Sequence, residues 1–286
     1  VGDALLTTPV LAALKEKDHS RRIVVYCRSL LHKTVFENNP NVDSLKSPSF
    51  LTKVWVGIFR RFKLGPIYIP NYGQFLPSLF CNKKAAELIA EQIFNIELNG
   101  KKVDIYLTPG EEEKAKSILA RHKNPIVLHI IPMGSSNKMW LPMHWEALVR
   151  SMPDHTFLQI GLPNEAKVES AVDLRGKVSF REALALIKHA DSFLGIDSSF
   201  AHATNAFNIP GVVLFGATNP EIWGHPNNIN LYKRLRCSPC IDLLYNSRCP
   251  YNQLCMAQIT VEEVKGALIE QTQKRAKQIK MTVYEN

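Results

Sequence analysis

The chain has 286 residues, 45% hydrophobic and 21% charged. That balance excludes a disordered, fibrous or low-complexity protein, and the length allows two cores of roughly 100 to 150 residues each. Lys and Arg number 35 against 26 Asp and Glu, a formal charge of +9, which attracts polyanions without choosing among phosphates, nucleic acid and anionic membrane. No window approaches the roughly 20 apolar residues of a membrane-spanning helix and no signal peptide opens the sequence, so the expected location is the cytoplasm.

The opening "VGDALLTTPVLAALKE" sets Leu5, Leu6, Val10, Leu11 and Leu14 at helical spacing, and "RRIVVYC" from Arg21 to Cys27 is a short run of buried-strand type. A Gly-Asp turn in an α/β protein ordinarily leaves a strand, so a strand preceding residue 1 is expected. A helix follows over Leu30 to Asn39, and "NPNVDSL" has the form of a turn and short strand. Between Phe50 and Leu79 the sequence is apolar and basic, with Lys53, Arg60, Arg61 and Lys63 among Trp55, Phe59 and Phe62. It predicts either a helix offering charge to an anionic partner or an amphipathic helix with a solvated face. "KKAAELIAEQIF" reads as a helix, "VDIYL" as a strand, and the next helix carries Glu111 to Glu113 at its positive N-terminal end.

"RHKNP" marks the expected boundary between domains at 1–122 and 123–286. Beyond it "IVLHIIP", "TFLQIG", "SFLGID" and "GVVLFG" read as strands. They alternate with helices predicted in "HWEALVRSM", "EAKVESAV", "SFREALALIKHA" and "SFAHATNAF". Strands and helices alternating at these lengths imply a parallel sheet covered on both faces. Ligands of such sheets sit outside the carboxyl ends of the strands. The loops "IIPMGSSNKMW", "IGLPNE", "GIDSSFAH" and "LFGATNPEIW" all leave that edge.

Those loops carry the candidate chemistry. Gly134 and Ser135 allow backbone N–H groups to approach an anion, with Lys138 as a compact positive charge; the bland alternative is a solvated loop lysine. Ser198 or Ser199 can cap the helix after Asp197, whose first turn is a natural anion site. His202 returns to the same face, as a phosphate donor or as a satisfied core histidine. Asp197 itself is a holder of N–H groups or a hydroxyl. Glu165 is placed either to accept from vicinal hydroxyls or as a plain N-terminal helix glutamate. No G-x-G-x-x-G or G-x-x-x-x-G-K-[ST] is present, which disfavours an ordinary dinucleotide fold or P-loop.

Cys237, Cys240, Cys249 and Cys255 form C-x2-C-x8-C-x5-C in one segment, 237–255. Three readings stay open: a structural zinc or iron site, reduced thiols packed in a loop, and redox-linked pairs. Cys27 and Cys81 read as isolated buried or semi-buried thiols. The cysteines and the basic surface together also allow a nucleic-acid-binding protein with a metal knuckle, which the strand and helix order opposes.

Taken in order, "GDALLTTP", "GSSNKMWLPMHWEAL", "DLRGKVSFREALALI", "GIDSSFAH", "PGVVLFGATNPEIW" and the cysteine segment resemble glycosyltransferase family 9, the ADP-heptose:lipopolysaccharide heptosyltransferases. The resemblance implies the GT-B architecture, two doubly wound α/β domains facing across a cleft, the first binding the acceptor and the second the donor. It implies inverting transfer from an ADP-sugar to a lipopolysaccharide-type acceptor, with no cofactor required for catalysis, no nucleic acid partner, and peripheral contact at the inner face of the inner membrane. It matches Asp3 to the catalytic base, Lys138 to the donor phosphate contact, Glu165 to the acid near the ribose, and Asp197 with His202 to the pair beside the diphosphate. Ser198 and Ser199 stand where the family often has Thr-Gly. A relative that binds nucleotide sugar without transferring it is the remaining alternative. Asp3 also has a local reading, an Asx turn capping the first helix.

Overall fold

The computed structural model describes residues 1–62, 67–68, 83–132, 134–244 and 247–284; Lys63, Cys81 and Met133 lie outside them. Two units result, Val1–Tyr106 and Leu107–Asn286. No helix among the described residues is long and apolar enough to cross a membrane.

In the first unit the Leu5, Leu6, Val10 and Leu11 stripe builds α1 (Gly2–Lys17), buried along most of its length. Gly2 and Asp3 stand within the first helical turn, where the Asp3 carbonyl accepts from Thr7 Oγ1 at 2.8 Å. The expected Gly-Asp turn is therefore absorbed into the helix. Strand β1 (Val24–Tyr26) pairs in parallel with β2 (Ser44–Lys46), linked by α2 (Leu30–Phe36), whose Ser29 cap accepts from the His32 N–H. Next come α3 (Phe50–Phe62) and α4 (Ala85–Ile89), the latter running into a π turn at Ala90–Phe94. The strand expected at "VDIYL" is absent from residues 101–107. One of its backbone donors, the Asp104 N–H, goes instead to Thr8 Oγ1 at 2.8 Å.

The second unit starts earlier than the sequence suggests, because α5 (Pro109–Leu119) belongs to it. Thr108 and Glu111 form a capping box at its start. Its acidic first turn then binds α7 (Phe180–His189): Arg181 Nη2 donates to Glu111 Oε2 at 2.8 Å and Lys188 Nζ to Glu112 Oε1 at 2.6 Å. The expected boundary at 122/123 would cut through this pairing.

Six parallel strands follow: β3 (Pro125–His129), β4 (Thr156–Gln159), β5 (Val172–Asp173), β6 (Ser192–Ile196), β7 (Gly211–Phe215) and β8 (Asn228–Tyr232). Their order is β5-β4-β3-β6-β7-β8. The chain builds outward on one side of β3 and then crosses to the other, leaving a topological switch point between β3 and β6. Strands β6 and β7 are buried at every residue, as a sheet covered on both faces requires. Trp140, Trp145, Leu148 and Phe157 join Leu128, Ile196, Leu214 and Met256 in the core on one face. The helices are α6 (Pro142–Ser151), α8 (Ser199–Ala206), α9 (Pro220–Trp223), α10 (Ile241–Leu244), α11 (Leu254–Ala257) and α12 (Val261–Tyr284).

No helix forms over "EAKVESAV". The buried Gln159 side chain takes the backbone groups a helix would need, donating to the Ala166 carbonyl at 2.7 Å and accepting from the Val168 N–H at 2.8 Å.

Replacing Arg181, whose side chain is 6% exposed, with Ala is expected to cost about 2 to 4 kcal/mol in denaturant unfolding, since it leaves the Glu111 carboxylate without its cation. Burial pushes the Glu111 carboxyl up, but the arginine and the Thr108 cap together prevail and hold it below its ordinary range. The stabilisation is therefore present above that range and lost as pH falls through it, and the gap between parent and variant should narrow in acid.

Candidate functional site

The loops leaving β3 and β6 meet at the switch point. After β3 the chain passes Gly134, at φ +111°, a left-handed value that glycine tolerates. A 3-10 turn at Ser136–Lys138 follows, with Ser135 as its cap accepting from the Asn137 N–H at 3.3 Å. After β6 comes Asp197. The two loops are joined by Lys138 Nζ and Asp197 Oδ2 at 2.7 Å, with the side chains 17% and 5% exposed. Burial alone would push the Asp197 carboxyl up; the Lys138 ammonium beside it prevails and holds it below the usual carboxylate range.

Helix α8 begins at the same place. Its cap residue is Ser198, whose hydroxyl makes no capping bond; it meets His129 Nδ1 at 3.2 Å instead. The capping expected of Ser198 or Ser199 is thus absent, and the start of α8 carries its partial positive charge without a capping bond from its N-cap side chain. His202, one turn along, is buried and lies within electrostatic reach of Asp197 and Lys138. Burial lowers its pKa to about 4, against the pull of Asp197, so it is a neutral imidazole at pH 7. Its Nδ1 lies 2.8 Å from His225 Nε2. One of the two ring nitrogens must donate in this contact, and where His225 is the donor the His202 proton sits on Nε2.

Glu165 follows β4, in a turn rather than at a helix start. Gly161, at φ +146°, lies against it; a Cβ there would collide with the carboxylate. Burial raises the Glu165 pKa, and its Oε2 is buried with no hydrogen-bond partner. An orphaned acceptor of this kind costs free energy until a donor reaches it. Arg175 braces the turn, donating to the Glu165 carbonyl and bidentately to Asp173 at 2.8 and 3.0 Å.

The structure therefore brings Lys138, Asp197 and His202 together and sets Ser198 and Ser199 at the adjoining helix start. Glu165 stands on the next loop along the same sheet edge. Asp3 belongs to the other unit, half-buried in α1.

Cys240 and Cys255 are buried, Cys237 and Cys249 partly so, and all are free thiols, as is the buried Cys27. Burial and then the other three thiols push Cys240 up to about 11. Among the described residues, however, no group of three or more His, Cys, Asp or Glu is arranged to hold a metal ion. The cysteines as placed are neighbours without being a formed ligand set, which departs from the zinc or iron reading of their spacing.

His129, His225 and Asn137 escaped the sequence reading. Asn137 is buried, donating to the carbonyls of Leu244 and Ser247, both at 2.9 Å, and accepting from the Cys249 N–H at 3.0 Å. It ties the lysine loop to the cysteine segment. No signal within the loop marks these residues, because their partners lie far along the chain.

Substituting Lys138 with Met should leave Asp197 buried without its cation, lifting its carboxyl above its ordinary range. Stability at neutral pH is expected to fall by about 3 kcal/mol. A raised folded-state pKa penalises folding above the unfolded value, so the deficit should shrink as pH drops below the carboxylate range. Urea unfolding across pH checks both the size and the sign.

The profile of glycosyltransferase family 9 (heptosyltransferase) matches residues 83–246, more than half of the 286-residue chain. Lipopolysaccharide heptosyltransferase 3 of Escherichia coli is 52% identical over 50 residues, a segment that covers 18% of this chain and only 15% of that relative. A glycosyl transferase family 9 structure from Veillonella parvula DSM 2008 superposes with a TM-score of 0.70 at 16% identity, covering 96% of this chain and 94% of that one. The E. coli ADP-heptose lps heptosyltransferase II gives 0.66 at 14% identity, with 96% of each chain covered. These structural likenesses establish the GT-B fold. The lysine-bearing loop, Glu165, Asp197 and His202 all fall inside the matched segment, and the chain belongs to glycosyltransferase family 9.

Proposed function

We propose that the chain transfers heptose, or a related sugar, from an ADP-sugar to a lipopolysaccharide core or similar glycan, with inversion. The observation that carries this reading is the Lys138–Asp197–His202 group at the switch point beside the start of α8. A diphosphate there would meet an ammonium, a neutral imidazole N–H and the helix's positive end. The second unit is accordingly read as the donor domain and the first as the acceptor domain. The unpartnered Glu165 Oε2 suits a vicinal hydroxyl of the donor ribose.

In this mechanism Asp3 takes the proton of the acceptor hydroxyl as its oxygen bonds to the anomeric carbon. The bond from that carbon to the diphosphate oxygen breaks, and the electron pair leaves with ADP. Lys138, His202 and the start of α8 stabilise the charge gathering on that leaving group, and Gly134 and Ser135 let backbone N–H groups approach it. No cofactor takes part in these steps. The acceptor is an anionic glycolipid, so peripheral contact at the cytoplasmic face of the inner membrane follows from the same reading.

Calorimetry should detect ADP in preference to UDP or GDP, with Lys138→Ala weakening binding at least tenfold. Asp3→Ala should bind ADP as the parent does and lose about 10²- to 10⁴-fold in transfer rate. Transfer at the parental rate by that variant would remove Asp3 as the base, and absence of transfer by the parent would favour a binding-only relative.

A structural zinc or iron ion in segment 237–255 is part of the proposal. It is supported by the C-x2-C spacing and by four free thiols within one segment, and it requires an arrangement of them other than the one described. Elemental analysis should find about one metal per chain, lost in Cys240→Ser; a metal-free, fully folded parent would establish packed thiols instead.

A further inference from the structure

Helix α3 (Phe50–Phe62) has an arrangement that the transfer chemistry does not use. Phe50, Leu51, Trp55 and Phe62 are 80%, 66%, 57% and 67% exposed, and Val54 and Ile58 are exposed as well. At about 100° per residue these six positions occupy one continuous arc of about 140°. Thr52, Val56 and Phe59, which are half-buried, fall on the opposite side. Six large apolar side chains open to water along one stripe of a 13-residue helix are not the scattered exposed apolar residues that any protein carries; such a patch marks a contact surface.

The surrounding charge says what the contact is. From Asp43 to Glu87 the sequence has no acidic residue in between, while it holds seven lysines and arginines. Positions 53 and 60 border one edge of the apolar arc, and the exposed Arg61 lies just inside that edge. Trp and Phe on one face, Leu beside them and basic residues along the margin are the requirements for a helix that lies in a bilayer interface and draws on anionic headgroups. A protein partner would need acidic groups facing that margin along with an apolar groove. An anionic bilayer supplies both chemistries at once.

We propose that α3 is an interfacial anchor, its apolar arc sunk among the acyl chains and headgroups of an anionic membrane and its basic margin at the phosphate level. This names the surface for the peripheral contact proposed above, but it rests on the helix alone, so ADP binding and membrane binding fail independently.

The test is sedimentation of the purified chain with vesicles of phosphatidylcholine, or of phosphatidylcholine mixed with phosphatidylglycerol, at low and high salt. Binding is expected to favour the anionic vesicles by about tenfold or more and to weaken with salt. Leu51→Ser/Trp55→Ser should abolish it, and Arg60→Ser/Arg61→Ser should remove the preference for anionic lipid, both with unchanged melting and unchanged ADP affinity. Emission from Trp55, isolated by difference from Trp55→Phe, should shift to the blue on adding anionic vesicles. Any of four results would overturn the proposal. The first is vesicle binding unaffected by the Leu51/Trp55 changes, and the second is equal binding to neutral vesicles. The third is self-association of the parent that those changes abolish, which makes the stripe a face between copies. The fourth is a Trp55 already shielded from a soluble quencher without lipid, which makes the cover a segment of the same chain.

Discussion

One ion pair, Lys138 to Asp197, fixes the relation between the loops of β3 and β6. The chain reaches β6 only after building out to β5 and returning, so the two residues are 59 apart in sequence and meet because the sheet is wound both ways from β3. A buried pair of this kind is costly to desolvate and contributes little net stability. Its value lies in position, since neither charge can move without stranding the other.

The pair also sets the charge balance of the site. Lysine and aspartate cancel, and His202 is neutral because it is buried. Beside the pair, the start of α8 adds its partial positive charge, and Ser198 there turns towards His129 and makes no capping bond. A second buried histidine, His129, with a pKa lowered to about 4 by burial alone, thus takes up the hydroxyl that would otherwise cover the helix end.

Much of this was legible in the residues. The β-branched runs mark β3, β4, β6 and β7, and the loops leaving those strands carry residues singled out as candidates. What escaped had long-range causes. The helix expected at "EAKVESAV" has suitable spacing, and only the buried Gln159 on a neighbouring strand explains why its backbone is committed elsewhere. The domain boundary fell too late because "RHKNP" looks like a linker, whereas α5 is claimed by Arg181 and Lys188 from a helix about 70 residues on. Asp3 was readable as a carboxylate near a helix start, but not as a residue already inside the helix. The cysteine spacing suggested ligands, yet spacing does not fix where four sulfurs point.

Asn137 has one further implication. Its amide is engaged by the backbone of Leu244, Ser247 and Cys249, so the turn bearing Lys138 is clamped by chain that arrives more than a hundred residues later. An ammonium held by such a strut has surrendered its freedom during folding, so the anion binding proposed for it would cost little further ordering. The order of the lysine turn is therefore written partly into a region remote from it in sequence.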